Sequence, residues 1–503
     1  MDPKAPCLEV QTCPMTSLPV EILLGILSLL DGKTIVRGFS VCRLWRETIE
    51  SSTELKYIIE LWADGLVSGP ACGLSPVQKL EKLYKWRRAW QNLEWTSQTV
   101  FPIDGNPRAY ELVGGVFAQQ NTWPQSDFNV IRLPSVDISA QISRTENIGI
   151  QSLDFAMDPT QDLVVFLHKY PDEIGNFDCR TLSTLAPHPL ASSPRLSFDL
   201  RDENFRRIFL QVADDIVGLL FRTSGESAAP SLRLVLFNWR TGTALVDLAG
   251  PQFPPSVSDF ALLSPHAYIL GCINDSSYHR GRARGMGEIH IYTFDRAHAA
   301  HPSHVATLQL PQLHPGRCLE RIVAHSGPFC ARPIQGTLFS KANDKRICVI
   351  SLAYDRSEFY TVYVHHRYFE KYLTNDGAPL TIPWDEWGPQ HSRMLPGRHL
   401  FWLRYVHGER VACPIDPIHP NRVEVLDFGI TPSRPGFDLT SVAGPNTISS
   451  GGKRVLFKND VTTSLPYRRI SRYLDDHHVL FLIDQDRLIG VNDAVNELMV
   501  YAF

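Results

Sequence analysis

Between residues 153 and 484 the chain repeats one short plan: a strand, a tight polar turn, and a second, more apolar strand. Alternation of apolar and polar residues between such turns is typical of antiparallel β-structure. Most units recur at about 50–70 residues, a period typical of four-stranded repeats. The six units are residues 153–167, 209–221, 260–273, 350–364, 402–415 and 470–484.

These repeats predict a β-propeller. Residues 110–135 carry a similar pattern and supply a first blade, which brings the predicted number to about seven. The final stretch NELMVYAF, residues 496–503, is predicted to finish the last blade and to close the ring. An all-β solenoid and stacked sandwiches remain alternative arrangements for the same strands.

The first part of the chain has a different pattern. Residues 18–49 are rich in Leu, Ile, Val and Trp at helical spacing. A first helix is expected after an N-cap at Thr16 or Ser17, with a stop at Asp31-Gly32, and a second helix is expected over residues 39–50. A helical unit this short cannot bury all these side chains by itself. Either the rest of the chain or another protein must therefore cover them.

The order and spacing of these residues resemble an F-box. The matching pattern is Leu-Pro-x-Glu-Ile-Leu from residue 18, Ile-Leu at 26, Leu at 30, and Val-Cys-Arg-x-Trp-Arg from 41. The resemblance implies a helical module that docks on a Skp-type adaptor, which joins a cullin-RING ubiquitin ligase. The residues that it places at the adaptor interface are Leu18, Pro19, Glu21, Ile22, Ile26, Leu27, Leu30, Val41, Cys42 and Trp45. Gly38 departs from the family, which more often has a bulkier residue there.

Two further helices are predicted after this module, over residues 53–66 and 75–93. The second helix and its end carry Trp86, Trp90 and Trp95, which are expected to pack the helix against the following β-domain. The neighbouring Lys and Arg residues leave a basic, aromatic nucleic-acid surface as the alternative. The succession of these segments is similar to a large group of fungal F-box proteins.

The sequence therefore predicts an α+β multidomain chain. A flexible tail (residues 1–14) precedes an all-α F-box (15–50) and a helical linker (51–95). A large all-β domain, a propeller of about seven blades, follows over residues 96–503.

Composition and charge narrow the class of function. The formal net charge of −4 is not that of a dedicated nucleic-acid binder or of a protein that binds anionic membranes. There is neither a long apolar run typical of a membrane helix nor an N-terminal pattern typical of a signal peptide. The ten cysteines show no CxxC pair, which favours reduced thiols and a cytoplasmic or nuclear location.

The sequence offers only weakly supported candidates for catalytic or metal-binding groups. The pairs Asp214-Asp215 and Asp475-Asp476 fall at turns of the repeat, where Asp is favoured for local hydrogen bonds. The basic, Gly-rich stretch 279–288 is expected to be a hairpin tip, with a phosphate- or peptide-binding loop as the alternative. The histidine groups 298/301/304, 365/366 and 477/478 do not form a convergent ligand set.

No catalytic residue, cofactor or metal is therefore predicted. The expected function is that of a substrate receptor in an SCF-type (Skp, cullin, F-box) ubiquitin ligase, with the adaptor on the F-box and a target protein on the propeller. Two alternatives stay open. One is a propeller enzyme or glycan-binding protein with a helical docking cap; the other is an F-box scaffold that acts without ubiquitin transfer.

Overall fold

The computed structural model describes residues 18–503 with short gaps. The gaps are residues 71–72, 104–106, 122–126, 136–138, 146, 169–173, 201–203, 225–231, 255, 275–277, 280–281, 284, 335, 356, 398–403, 431–438 and 452–454. The predicted tail at 1–14, the N-cap at Thr16 or Ser17, and parts of the stretch 279–288 lie outside the described residues.

Helices dominate the first part of the described chain. Their bounds are α1 Val20–Leu27, α2 Gly32–Gly38, α3 Arg43–Ser51, α4 Thr53–Ala63 and α5 Pro76–Asn92. The segment 33–37, predicted as a turn, is the helix α2, because Asp31 caps its start by accepting the backbone N–H of Thr34 at 2.9 Å. Ser75 caps α5 through a reciprocal capping box with Gln78, as the Ser-Pro pair at this point predicts.

The F-box helices share a small core with α4. Leu23 and Leu27 of α1, Ile35 of α2, Ile49 of α3 and Leu55 of α4 are at most 1% exposed and form one cluster. The module thus needs the first turn of α4 to complete its core, so it extends beyond the predicted boundary at residue 50.

Seven sheets follow as the blades of a propeller, each with four antiparallel strands that run from an inner to an outer strand; the sheet of blade 4 has a fifth, parallel strand at its edge. Blade 1 contains Ala109–Val113, Val116–Gln120, Phe128–Arg132 and Gln141–Thr145; blade 2, Ser152–Asp158, Leu163–His168, Ile174–Thr181 and Arg195–Asp199; blade 3, Asn204–Ala213, Ile216–Ser224, Leu232–Asn238 and Thr243–Ala249; blade 4, Val257–Ser264, Ala267–Asn274, Met286–Thr293 and Ser303–Gln309; blade 5, Leu319–Ser326, Ile347–Tyr354, Glu358–His365 and Ser392–Pro396; blade 6, Val406–His407, Arg410–Ala412, Arg422–Asp427 and Arg468–Tyr473; blade 7, Leu480–Ile483, Arg487–Val491, Glu497–Ala502 and Ser97–Pro102.

The ring closes through strands from both ends of the domain. The predicted closing stretch forms the third strand of blade 7, Glu497–Ala502, and the outer strand comes from Ser97–Pro102. The sequence predicted that this stretch finishes the last blade, whereas the outer strand of that blade comes from the start of the domain. Pairing the first strand of the domain with one of the last prevents the ring from opening at a free edge.

Two of the six predicted hairpins do not begin a blade. Residues 350–364 contain the second and third strands of blade 5, whose inner strand is Leu319–Ser326. Residues 470–484 join the outer strand of blade 6 to the inner strand of blade 7. Both segments have the same alternation as a true inner hairpin, so the pattern alone could not give their place in the blade.

Shorter elements complete the fold. Blade 5 carries two helices that the sequence did not predict, α6 His366–Glu370 and α7 Trp384–His391, between its third and fourth strands. Short strand pairs are Leu66–Ser68 with Phe339–Lys341, Tyr278–His279 with Arg282–Ala283, and Asn446–Ile448 with Val461–Thr463; Leu380–Ile382 runs parallel to the outer strand of blade 4. Single turns of 3-10 helix are Pro159–Gln161, Gly250–Gln252 and Leu439–Ser441.

Candidate functional site

The helical module exposes more apolar surface than the rest of the chain covers. Ile22 and Ile26 lie one turn apart on α1 and are 53% and 37% exposed. Val41, just before α3, is 61% exposed. Leu18 and Trp45 are partly exposed. The β-domain therefore leaves these side chains exposed, which agrees with the interface position that the resemblance to an F-box predicts for them.

Pro19 and Glu21 stand at the start of α1. Pro19 is the N-cap residue, with φ −55° and ψ 145°, and its carbonyl accepts the N–H of Leu23 at 3.0 Å. Glu21 is exposed in the first turn, where its carboxylate interacts favourably with the positive end of the helix. The entry of α1 is thus fixed by backbone geometry while both side chains face solvent.

Leu27 departs from the predicted interface. Its side chain is 0% exposed in the core of the module, because α1 turns this position towards α3 and α4. It supports the exposed surface from beneath. Leu30 is partly buried against the same core, and Cys42 is the half-buried N-cap of α3.

Gly38, the position that departs from the family pattern, has a packing role in this chain. A Cβ atom at Gly38 would lie 3.1 Å from the Ile49 side chain and 3.2 Å from the indole of Trp45. The ring of Trp45 therefore occupies the space that a bulkier residue at 38 would need. This contact holds the half-buried indole at the edge of the exposed surface.

Further apolar side chains extend this surface beyond the predicted residues. Leu29, Val20 and Val36 are 86%, 42% and 38% exposed. Val36 was not among the predicted interface residues, because the segment 33–37 was predicted to be a turn and not a helix. The Asp31 cap three residues before Thr34 was the sequence signal for a helix there. Residues 18–45 with exposed or half-buried apolar side chains are called the F-box surface below.

The helical linker is fixed firmly to the propeller. Trp90 is 1% exposed and stacks on Phe503 with ring centres 4.0 Å apart. Trp86 donates its indole N–H to Asp486 at 3.0 Å, and the Arg472 guanidinium lies 3.9 Å from the centre of the Trp95 ring. The prediction that these tryptophans pack α5 against the β-domain is confirmed.

A second attachment joins the linker to blade 5. Residues 66–68 pair with residues 339–341, and the Lys341 ammonium donates to the Asp64 carbonyl at 2.9 Å. Glu60 of α4 and Asp64, the C-cap residue of this helix, each bind Arg87 of α5 at 2.6 Å, so the two linker helices are also bridged. The F-box surface is thus held by two helices and one strand rather than by a flexible chain.

Residues 327–334 and 336–338 cross the end of the central channel on the linker side. The Ala331 N–H donates to Asp158 of blade 2 at 3.3 Å, and Ile334 packs at 3.2 Å from the Cβ position of Gly114 in blade 1. The Gly327 Cβ position lies 3.2 Å from the backbone of Gly408 in blade 6. The channel is therefore covered at this end by a segment that contacts blades 1, 2 and 6.

The closed channel contains charged groups. Glu111 of blade 1 forms a bidentate ion pair with Arg404 at the start of blade 6. Burial raises the pKa of Asp154 to about 7; the Phe155 N–H opposes this rise, and the Glu111 carboxylate adds to it. The cavity volume is about 120 Å³, below the roughly 300–1,000 Å³ of small-molecule sites.

The candidate carboxylate pairs are placed at turns, as predicted. Asp214 has a left-handed φ of 55° in the turn between the first two strands of blade 3, and both Asp214 and Asp215 bind Arg296. Asp475 and Asp476 are exposed in the connection between blades 6 and 7. Neither pair faces the channel cavity.

The histidine groups are dispersed over the propeller. His304 stacks on His290 with ring centres 4.9 Å apart, whereas His298 is bound to Asp295 at 3.3 Å. Within the described residues, no group of three or more His, Cys, Asp or Glu side chains could hold a metal ion. No described helix has both the length and the apolar character needed to cross a membrane.

Comparisons with known proteins support the resemblance of the helical module to an F-box. Residues 15–56 match the F-box-like family. No curated protein sequence matches the chain. BamB from Moraxella catarrhalis aligns with 80% of this chain and 100% of its own at 10% identity, with a TM-score of 0.29. A variant of the Synechocystis apocarotenoid oxygenase aligns with 50% of this chain and 55% of its own at 9% identity, with a TM-score of 0.27.

Both TM-scores are too low to support a functional comparison, and the strand pairing itself defines the seven blades. The family match ends at residue 56, inside α4, one residue after Leu55, the last fully buried member of the helical core. The chain therefore carries an F-box-like domain at its N-terminus, followed by a seven-bladed β-propeller.

Proposed function

We propose that this protein is a substrate receptor of an SCF-type ubiquitin ligase. The F-box surface binds a Skp-type adaptor, which links it to a cullin, and the propeller binds the target. The observation that carries the proposal is the exposure of Ile22, Ile26 and Val41 within a segment that matches the F-box-like family. Apolar side chains that are exposed in the free chain and become buried on binding supply a favourable free energy of association.

The proposed contribution to catalysis is proximity. The receptor raises the effective concentration of target lysines near the charged conjugating enzyme, and no catalytic group of the chain takes part. The rigid linker supports this role, because Trp90 and the strand pair 66–68 with 339–341 fix the spacing between adaptor and propeller. The role implies a cytoplasmic or nuclear protein. It is also the role that the resemblance to fungal F-box proteins implies.

The enzyme or glycan-binding alternative has less support. Its best feature is the polar channel, but Glu111 is held by Arg404 and the cavity volume is about 120 Å³. A glycan or a typical substrate needs a larger space. The scaffold alternative differs from the proposal only in ubiquitin transfer, so co-purification of a cullin separates the two.

The test is capture of a purified Skp-type adaptor by the full chain. The wild type is expected to bind, and Leu18→Ala with Pro19→Ala is expected to abolish binding. A second variant, Ile22→Lys with Val41→Lys, changes two exposed side chains and should fold normally. Val77→Lys, on an exposed position of α5 outside the F-box surface, is the matched control and should bind like the wild type.

Equal adaptor capture by the wild type and by both double variants would refute the site. Absence of capture by the wild type would refute the proposed function. A cullin that co-purifies with the adaptor complex supports the ligase role, whereas an adaptor complex that never contains a cullin supports the scaffold.

A further inference from the structure

Lysine and arginine are distributed unevenly along this chain. The full sequence contains 37 Arg and 12 Lys. Residues 1–85 carry six Lys and three Arg, whereas residues 86–340 carry one Lys and twenty Arg. The remaining residues, 341–503, carry five Lys and fourteen Arg. A general bias towards arginine would lower the share of lysine in every part of the chain, so it does not explain this contrast.

The part that is poor in lysine contains blades 1 to 4 of the propeller. Between residues 109 and 309 the sequence has one lysine, Lys169, which lies outside the described residues. Lysines with exposed side chains do occur elsewhere in the chain, at Lys33, Lys56, Lys85, Lys371 and Lys458. The last two belong to the propeller, so lysine is depleted in one sector of the ring and not in all of it.

Local packing does not require arginine at the exposed positions of this sector. Arg195 of blade 2 binds the Asp178 carboxylate through Nε at 2.9 Å, and its side chain is 54% exposed. A lysine ammonium can make a contact of this kind, and an exposed ion pair contributes little to stability with either cation. Arg132, at the end of the third strand of blade 1, is exposed as well. The choice of arginine at such positions therefore needs a reason other than folding.

The two side chains differ in the reaction that the proposed ligase promotes. A lysine amine, after losing a proton to solvent, attacks the thioester carbonyl that joins ubiquitin to a cysteine of the conjugating enzyme. A C–N bond forms, the C–S bond breaks, and the cysteine leaves as a thiolate that takes up a proton. The arginine guanidinium stays protonated at physiological pH and is not an acceptor. Blades 1 to 4 thus keep their positive charges while offering almost no acceptor amine.

Proximity makes this difference important for a rigid receptor. An amine of the propeller stays near the conjugating enzyme for as long as the assembly exists, whereas a target amine is near it only while the target is bound. Effective concentration therefore favours modification of the receptor itself. The stacking of Trp90 on Phe503 and the pairing of residues 66–68 with 339–341 hold the propeller in one position relative to the F-box surface. A fixed position turns one sector of the ring towards the enzyme.

We propose that blades 1 to 4 are the sector that faces the ubiquitin-charged conjugating enzyme, and that arginine replaces lysine there so that ubiquitin passes to the target and not to the receptor. Lysines outside this sector, such as Lys371 and Lys458, lie beyond the reach of the enzyme and are retained. This inference rests on the proposed function, to which it adds the side from which the enzyme approaches.

The experiment uses the full chain bound to the Skp-type adaptor and a cullin-RING complex, with ubiquitin-charged conjugating enzyme and no target. Arg132→Lys with Arg195→Lys adds two exposed amines to blades 1 and 2. Mass spectrometry of tryptic peptides locates and quantifies the ubiquitin remnant on the receptor. We expect conjugates at both substituted positions and a several-fold rise in total ubiquitin on the receptor, because these amines are held close to the thioester.

Two control variants separate position from chemistry. Arg367→Lys with Arg469→Lys adds two exposed amines to blades 5 and 6, and the side chains of Arg195 and Arg469 are similarly exposed at 54% and 51%. This variant should be modified no more than the wild type. Arg132→Gln with Arg195→Gln removes the same two guanidinium groups without adding an amine, and it should also match the wild type.

The outcomes distinguish this inference from the proposed function. A rise confined to the lysine variant of blades 1 and 2 supports the inference. An equal rise in both lysine variants, or no rise in either while the charged enzyme discharges to free lysine, would overturn it. Adaptor capture and cullin co-purification are measured on the same samples. If both are intact, a negative result leaves the proposed function standing, whereas absence of adaptor capture by the wild type refutes that function.

Discussion

Trp90 of the linker and Phe503 of the last strand segment stack with ring centres 4.0 Å apart and ring planes 16° from parallel. Both side chains are at most 5% exposed. The Arg410 guanidinium lies 4.4 Å from the centre of the Trp90 ring on the propeller side. The linker helix and the final strand of the ring are thus parts of one core.

Trp90→Ala should destabilise the propeller as well as the linker. Removing a fully buried indole leaves a cavity at the junction and is expected to cost about 3–5 kcal/mol of unfolding free energy. Val77→Ala on the exposed side of the same helix should change it by less than about 0.5 kcal/mol. Urea unfolding followed by tryptophan fluorescence and far-UV circular dichroism measures both, and a loss below about 1 kcal/mol for Trp90→Ala would contradict the shared core.

The F-box surface and its core should respond differently to truncation. Leu27→Ala removes a side chain with 0% exposure and should lower the stability of the helical module by about 2–5 kcal/mol. Ile22→Ala removes a half-exposed side chain, so stability should stay within about 0.5 kcal/mol while adaptor affinity falls. Calorimetry and adaptor titration on the two variants check this, and equal losses of stability would be inconsistent with the assignment.

Two helical glycines should respond to alanine with opposite signs. Nothing lies within 4 Å of a Cβ atom at Gly25, so Gly25→Ala should stabilise α1 by roughly 0.5–1 kcal/mol. At Gly38 the same atom would meet Trp45 and Ile49 at 3.2 and 3.1 Å, so Gly38→Ala should destabilise the module by about 1–3 kcal/mol. Thermal unfolding of each variant gives the sign, and stabilisation by Gly38→Ala would contradict the packing described for Trp45.

Asp259 should make stability depend on pH. Burial raises its pKa from 3.8 to about 7, so between these values the folded chain holds a proton that the unfolded chain has lost. This group therefore lowers the stability of the wild type as pH rises from about 4 to 7. Asp259→Asn does not titrate, and its stability relative to the wild type should rise across that window, by about 1.4 kcal/mol per unit of pKa difference.

Urea unfolding at several pH values between 4 and 8 measures this difference. Burial lowers the pKa of His365 and His366 to about 4, which acts in the opposite direction, but both residues are common to the two proteins and their effect cancels. Asp376→Asn, at an exposed position, is the control. A difference between Asp259→Asn and the wild type that does not vary with pH would refute the assignment.

Local signals made much of the helical part predictable. The Ser75 cap and the spacing of Trp86, Trp90 and Trp95 gave both α5 and its packing, because each signal acts within a few residues. The F-box pattern gave the exposure of Ile22 and Val41. The burial of Leu27 was not predicted, because the family pattern marks apolar positions without distinguishing interface from core.

Non-local pairing set the limit in the propeller. The strand of residues 97–102 closes the ring with residues 497–502, a contact that no local pattern encodes. The crossing segment 327–338 separates the inner strand of blade 5 from its partner, which hid the first strand of that blade. In blade 3 the cross-strand register of Arg207 with Arg222 depends on a single bulge between Phe205 and Arg207, which the sequence alone could not place.

The segment that seals the channel continues directly into the strand that holds the linker at residues 66–68. The helical linker is therefore connected through a continuous backbone segment to the residues that cover the channel. We expect the linker and the propeller to move together rather than about a hinge. In the proposed receptor, the distance between the F-box surface and the propeller would therefore be fixed. In the proposed role, the dimensions of a bound target, and not movement of the receptor, would decide which of its amino groups come within range of the conjugating enzyme.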